Sequence, residues 1–110
     1  MGDYFKSEDL GKFGNIGRVN PQLAEGFFKY YNETLKEGAL SAREKSLIAL
    51  AVAHALKCPY CIDAYTSTCM EKGADEEQMS EAVHVAASMA AGVTLVHSVQ
   101  MMNKVDELDL

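Results

Sequence analysis

Leu47-Ile48-Ala49-Leu50-Ala51-Val52-Ala53-His54-Ala55-Leu56-Lys57-Cys58-Pro59-Tyr60-Cys61-Ile62-Asp63-Ala64-Tyr65 spans the end of one helical pattern and the start of the next. The first part is apolar on nearly every face, and a helix with no polar face is surrounded by protein. Pro59 suits the first position of a new helix: it has no amide proton to leave unsatisfied, and its φ is already helical. Cys58 is then the N-cap, and both sulfurs fall in the first turn, near the positive end of the helix dipole. That position favours thiolate, the reactive form. Residues i and i+3 share nearly one face, so the two sulfurs can bond. The pattern points to a reversible dithiol/disulfide centre. The competing readings are half of a metal site and two inert buried cysteines.

Working outward, Ser41-Ala42-Arg43-Glu44 has the form of a capping box and starts the apolar helix, about 42–56. Before it, Asn20-Pro21 starts a helix of about 20–37, with Leu23, Phe27, Tyr30, Tyr31 and Leu35 at helical spacing. After the cysteines, a helix of about 59–72 ends at Gly73. Asp75 with Gln78 forms a second capping box for the next helix, whose face of Met79, Ala82, Val83, Ala86, Ala87 and Ala90 favours close packing. Gly92 is expected to bend or interrupt that helix, with a further helical stretch over Val93 to Val105. Residues 1–18 are expected as a flexible N-terminal arm with a short helix near Ser7 to Leu10, and residues 19–110 as a single domain. No run of period two bounded by turns is present. The fold class is therefore all-α, with five to six helices.

The chain has 110 residues and a net charge of −6, which argues against nucleic acid and anionic membrane as partners. No apolar run read from the pattern reaches bilayer length, and the Met1 end has no secretory pattern. Three cysteines without an export signal fit a reducing, cytoplasmic setting. The apolar helix and the small-residue face exceed what so short a chain can cover, so a homo-oligomer is expected.

No second C-x-x-C or His pair completes a zinc site, so no metal is predicted. Cys69 lies about 12 Å along the helix from Cys61 at 1.5 Å per residue, too far to join the pair, and is expected to be a buried hydrophobe. A dithiol working near neutral pH needs a proton relay. Four side chains are candidates. His54 is four before Cys58, Tyr65 is four past Cys61, His84 sits on the following helix, and Glu44 is otherwise explained as the capping-box acid. His97 is expected to be structural or interfacial.

Ala42-Arg43-Glu44-Lys45, the apolar helix, Cys58-Pro59-Tyr60-Cys61, Glu71-Lys72-Gly73-Ala74 and Glu81-Ala82-Val83 together resemble the carboxymuconolactone decarboxylase/alkylhydroperoxidase D superfamily. The run Arg43 to Ala55 followed by Cys58 to Tyr65 is similar to a short peroxidase-like subgroup associated with arsenosugar biosynthesis. The resemblance implies an alkylhydroperoxidase D-like helical fold in a homotrimer or homohexamer. It implies a thiol-dependent peroxidase-like oxidoreductase that needs no cofactor, acts on a hydroperoxide or disulfide substrate and is restored by a reductant protein or small thiol. It gives attack to Cys61 and resolution to Cys58. Three departures stand out. Ser46 and Tyr65 occupy the places of the peroxidase pattern's glutamate and histidine, and Tyr60 stands where a histidine sometimes lies between the cysteines. The alternatives are a disulfide reductase, an organoarsenic-metabolism helper that binds arsenicals through the vicinal thiols, and a redox-sensing binding module.

Overall fold

The structure, a computed structural model, describes residues 4–109. A 3-10 helix, Ser7–Arg18, precedes five α-helices: α1 Pro21–Leu35, α2 Ala42–Ala55, α3 Pro59–Glu71, α4 Glu76–Val96 and α5 Ser98–Leu108. Among the described residues there is no strand, as the pattern predicted. The N-terminal helix is longer than the Ser7 to Leu10 turn expected.

Local chemistry sets most of the helix starts. The Ser41 hydroxyl accepts the Glu44 N–H at 3.0 Å while the Glu44 carboxylate accepts the Ser41 N–H at 2.7 Å. Asp75 and Gln78 make the same reciprocal pair at the head of α4. The end of α3 is a Schellman turn: Gly73, at φ +89, donates to the Met70 carbonyl, and Ala74 donates to that of Cys69. The end of α2 repeats the pattern with Lys57 at φ +58, which donates to His54, and Cys58, which donates to Ala53. A left-handed lysine is strained where glycine is not, by about 1 kcal/mol or more. Gly92 does not break α4. The helix runs through it to Val96, and the break falls at His97. A Cβ added at Gly92 would meet nothing within 4 Å, so no close packing requires glycine there.

α2 is the central helix, with α3 and α4 on either side. The core is small: Leu50, Cys69 and Ala74 are buried, with Leu47, Tyr65 and Met79 packed against them. Cys69 is fully buried here, the hydrophobe expected. The outward face of α2 is not covered within the chain, since Ile48, Val52 and Leu56 are exposed. So are Val85, Met89, Val93, Leu95 and Val96 on α4 and Val99, Met102 and Val105 on α5. The radius of gyration is 19.0 Å, against about 13 Å for a compact chain of this size. The nearly continuous stretch Glu76–Leu108 is by length and composition apolar enough to cross a bilayer, and its most apolar 18 residues are not buried within the chain. It exceeds the runs expected from the pattern because the expected break at Gly92 is absent.

Candidate functional site

Cys58 belongs to two helices at once. Its N–H closes the Schellman turn of α2, and its side chain caps α3, where Cys58 Sγ accepts the Cys61 N–H at 3.2 Å. No residue lies between the two roles, so the backbone is held on both sides of the sulfur. Pro59 then sets the first turn of α3 and brings Cys61 Sγ to 2.6 Å from Cys58 Sγ. Both thiols are free and half-buried.

The two sulfurs have different surroundings: Cys58 Sγ accepts a backbone N–H. Burial, and then the contact with Cys58, push the Cys61 thiol up to about 11 from 9.0. Proximity to the helix N-terminus predicted thiolate for both; at Cys61 desolvation outweighs that field.

Tyr65 lies one turn beyond Cys61, and its hydroxyl is hydrogen-bonded to that of Tyr31 on α1. Burial and the Tyr31 bond hold Tyr65 well above the usual phenol range, so it is a neutral donor rather than a base. The other relay candidates lie elsewhere. The His54 ring Nδ1 is 2.8 Å from the Leu50 carbonyl on its own helix. His84 is exposed on α4. Glu44 is held in the capping box, where the Ser41 hydrogen bonds lower its pKa. None of these three lines either cavity that contains the sulfurs. His97 is exposed at the joint between α4 and α5.

The sulfurs open onto a cavity of about 430 Å³ whose other walls include Tyr31, Tyr65, Leu10, Phe13 and Ile16. A second cavity of about 230 Å³, between α1 and α2, reaches the same sulfurs from the side of Phe27 and Leu56. Among the described residues no group of three or more His, Cys, Asp or Glu side chains is placed to hold a metal. The arrangement can form and break a disulfide in an apolar pocket with a phenol available to give a proton.

Residues 21–104 match the carboxymuconolactone decarboxylase family. The chain belongs to that family. An uncharacterized protein from the cox locus of Paracoccus denitrificans is 34% identical over 109 residues, covering 99% of this chain and 98% of that one. An uncharacterized protein of Cupriavidus necator is 26% identical over 98 residues, covering 89% of this chain and 87% of that one. The crystal structure of an apo carboxymuconolactone decarboxylase family protein from Legionella pneumophila superposes with a TM-score of 0.69 at 28% identity, covering 94% of each chain. The all-α fold of five helices is thus that of the family.

In this family member, the place of the peroxidase pattern's glutamate is taken by Ser46, which is buried and donates to the Arg43 carbonyl at 2.7 Å. The place of the histidine is taken by Tyr65, which the structure does bring to the cysteines. Two features lie beyond the sequence pattern. Tyr31 belongs to an apolar stripe at helical spacing, and only the fold shows that it meets Tyr65. The N-terminal segment carries no chemical motif, yet it supplies one wall of the cavity. A signal for it exists: Leu10-Gly11-Lys12, Phe13-Gly14-Asn15 and Ile16-Gly17-Arg18 repeat as apolar, glycine, polar.

Proposed function

We propose that this chain is a thiol-dependent oxidoreductase of the peroxidase type, cycling Cys58 and Cys61 between dithiol and disulfide. The observation that carries this reading is the pair of sulfurs 2.6 Å apart in an apolar cavity, one of them held by a backbone N–H. The Cys58 thiolate attacks the terminal oxygen of a hydroperoxide and the O–O bond breaks. Cys58 becomes a sulfenic acid, and the leaving alkoxide takes a proton from the Tyr65–Tyr31 pair, which regains it from water. The Cys61 thiol then attacks the sulfenic sulfur. The S–S bond forms, and the sulfenic hydroxyl leaves as water with the Cys61 proton. An external dithiol restores the pair by exchange and is itself oxidised to a disulfide.

This order of sulfurs is the reverse of the one the resemblance implies. It is supported by the N–H on Cys58 Sγ and by the raised Cys61 thiol. The test is to treat Cys61→Ser and Cys58→Ser with cumene hydroperoxide at neutral pH and trap sulfenic acid with dimedone. The expected adduct is on Cys58 in the first variant, with none in the second. An adduct on Cys61 alone would restore the resemblance's order, and none in either variant would end the peroxidase reading.

We further propose that the working form is a homo-oligomer, a trimer or hexamer by resemblance, in a reducing cytoplasmic setting. The extended protomer and the exposed apolar faces of α2, α4 and α5 support it. Light scattering that finds a monomer in buffer, or a chain recovered only with detergent, would count against it. The narrower link to arsenosugar metabolism rests on the resemblance alone.

A further inference from the structure

The period of the N-terminal repeat is three, and so is that of the helix it forms. In a 3-10 helix, residues i and i+3 eclipse one another. Leu10, Phe13 and Ile16 therefore stand in one straight row, the glycines in a second, and Lys12, Asn15 and Arg18 in a third. Long 3-10 helices are uncommon because eclipsed side chains crowd. Here the repeat relieves the crowding, since one row carries no side chains at all. At Gly17 the bare backbone also comes so close to α1 that an added Cβ would lie 2.6 Å from Ala24 Cβ.

The helix is fastened beside the cysteines. The Phe5 ring meets that of Tyr60, which with Pro59 lies between the two cysteines, at 4.7 Å. The Ser7 hydroxyl donates to the Asp63 carboxylate on α3. Phe13 stands edge-on to Phe28 at 5.0 Å and to Tyr31 at 6.1 Å. All three members of the apolar row line the larger cavity that holds the sulfurs; Asp9 and Lys12 also reach it, but they pair with each other at 3.1 Å. Phe13 and Ile16 remain 40% and 54% exposed, so they keep apolar surface that a ligand can cover.

We propose that the row Leu10, Phe13 and Ile16 is the substrate-selecting wall of the dithiol site, binding an uncharged alkyl or aryl body while the sulfurs meet its reactive end. This rests on the thiol-oxidoreductase reading above and adds where selectivity resides. Small hydrated oxidants gain nothing from the wall, whereas a phenyl-sized group leaves water for it.

The test separates the wall from the peroxidase reading by using reagents that need only a thiol. The fully reduced chain is reacted with methyl and with benzyl methanethiosulfonate, and the benzyl-to-methyl rate ratio is divided by that for glutathione. An excess of about tenfold is expected for the wild type, the lower end of what even one methylene is worth in a hydrophobic pocket, since this wall is open on one side. It should fall to about threefold or less in Ile16→Ala and in Phe13→Ala, stay high in Ile16→Phe, and be unchanged in Asn15→Ala on the polar row. A wild-type ratio equal to that of glutathione would overturn the proposal, as would a ratio indifferent to both alanine variants. Should Phe13→Ala unfold the segment, Ile16→Ala and Ile16→Phe still decide it. The same proteins are then given cumene hydroperoxide and hydrogen peroxide. Preserved benzyl selectivity without peroxide consumption would leave the wall standing and remove the peroxidase reading. Peroxide consumption with no benzyl selectivity would do the reverse.

Discussion

The ends of α2 and α3 close with the same two hydrogen bonds, yet one delivers a core residue and the other a reactive one. After α3, Gly73 adopts the left-handed conformation at no steric cost, and Ala74 behind it is buried against Cys69. After α2, Lys57 adopts it under strain, and the residue behind it is Cys58, half-buried at a cavity. The α3 turn is followed by Asp75, which caps the next helix. The α2 turn has no such residue to spare, because Cys58 is itself the cap. The same local device thus serves packing in one place. In the other it fixes a sulfur between two helix ends and turns an N–H toward it.

Substitutions at the two turns should break this pairing in opposite ways. The largest effect is expected at the functional turn. Cys58→Ser should slow hydroperoxide-driven thiol loss by about two orders of magnitude or more at neutral pH, measured by stopped-flow with a thiol dye. Melting temperature should hardly move. Next in size, Gly73→Val places a β-branched residue at φ +89. It should cost about 2 kcal/mol, read from denaturant unfolding, while the surviving fold keeps its thiol reactivity. Lys57→Gly should act with the opposite sign and gain about 1 kcal/mol, since glycine relieves the left-handed strain. No gain there would mean that the lysine conformation is not strained as described.

The smallest effect is a pH dependence. Cys61 is protonated more firmly in the fold, at about 11, than its ordinary value of 9.0. The unfolded chain therefore releases its proton first as pH rises. Stability from this group is complete below pH 9 and is lost as pH rises toward 11. The loss is modest because the thiol is only part-buried and screened by solvent. Tyr65 adds a trend of the same sign at higher pH. Cys61→Ala should flatten the lower part of the curve, and an unaltered curve would show that Cys61 is not desolvated.

The parts of the fold set by neighbours in sequence were legible in it. Ser41 with Glu44, Asp75 with Gln78, Pro59 after Cys58 and Gly73 each act within a few residues of themselves, and each turned up in its expected place. Gly92 misled because a helix interior tolerates glycine where nothing packs against it, and no local residue announces the break at His97. The cysteine pair was legible for the same local reason. The hydroxyl that meets Tyr65 was not, because Tyr31 is 34 residues away and carries no mark distinguishing it from Phe27 or Tyr30. His54 drew attention as a histidine near Cys58, but its ring turns back to its own helix. The row on the N-terminal helix was hidden differently. Its period of three fits neither the helical nor the strand template.

The measurement that bears most directly on the dithiol cycle is a count of free thiols per chain before and after one equivalent of cumene hydroperoxide, with peptide mapping of the product. The expected result is loss of two thiols within seconds as a single Cys58–Cys61 disulfide. Cys69 should be untouched, and a dithiol reductant should recover both thiols. Three thiols still free after that time, or a product that joins Cys69 to either partner, would contradict it.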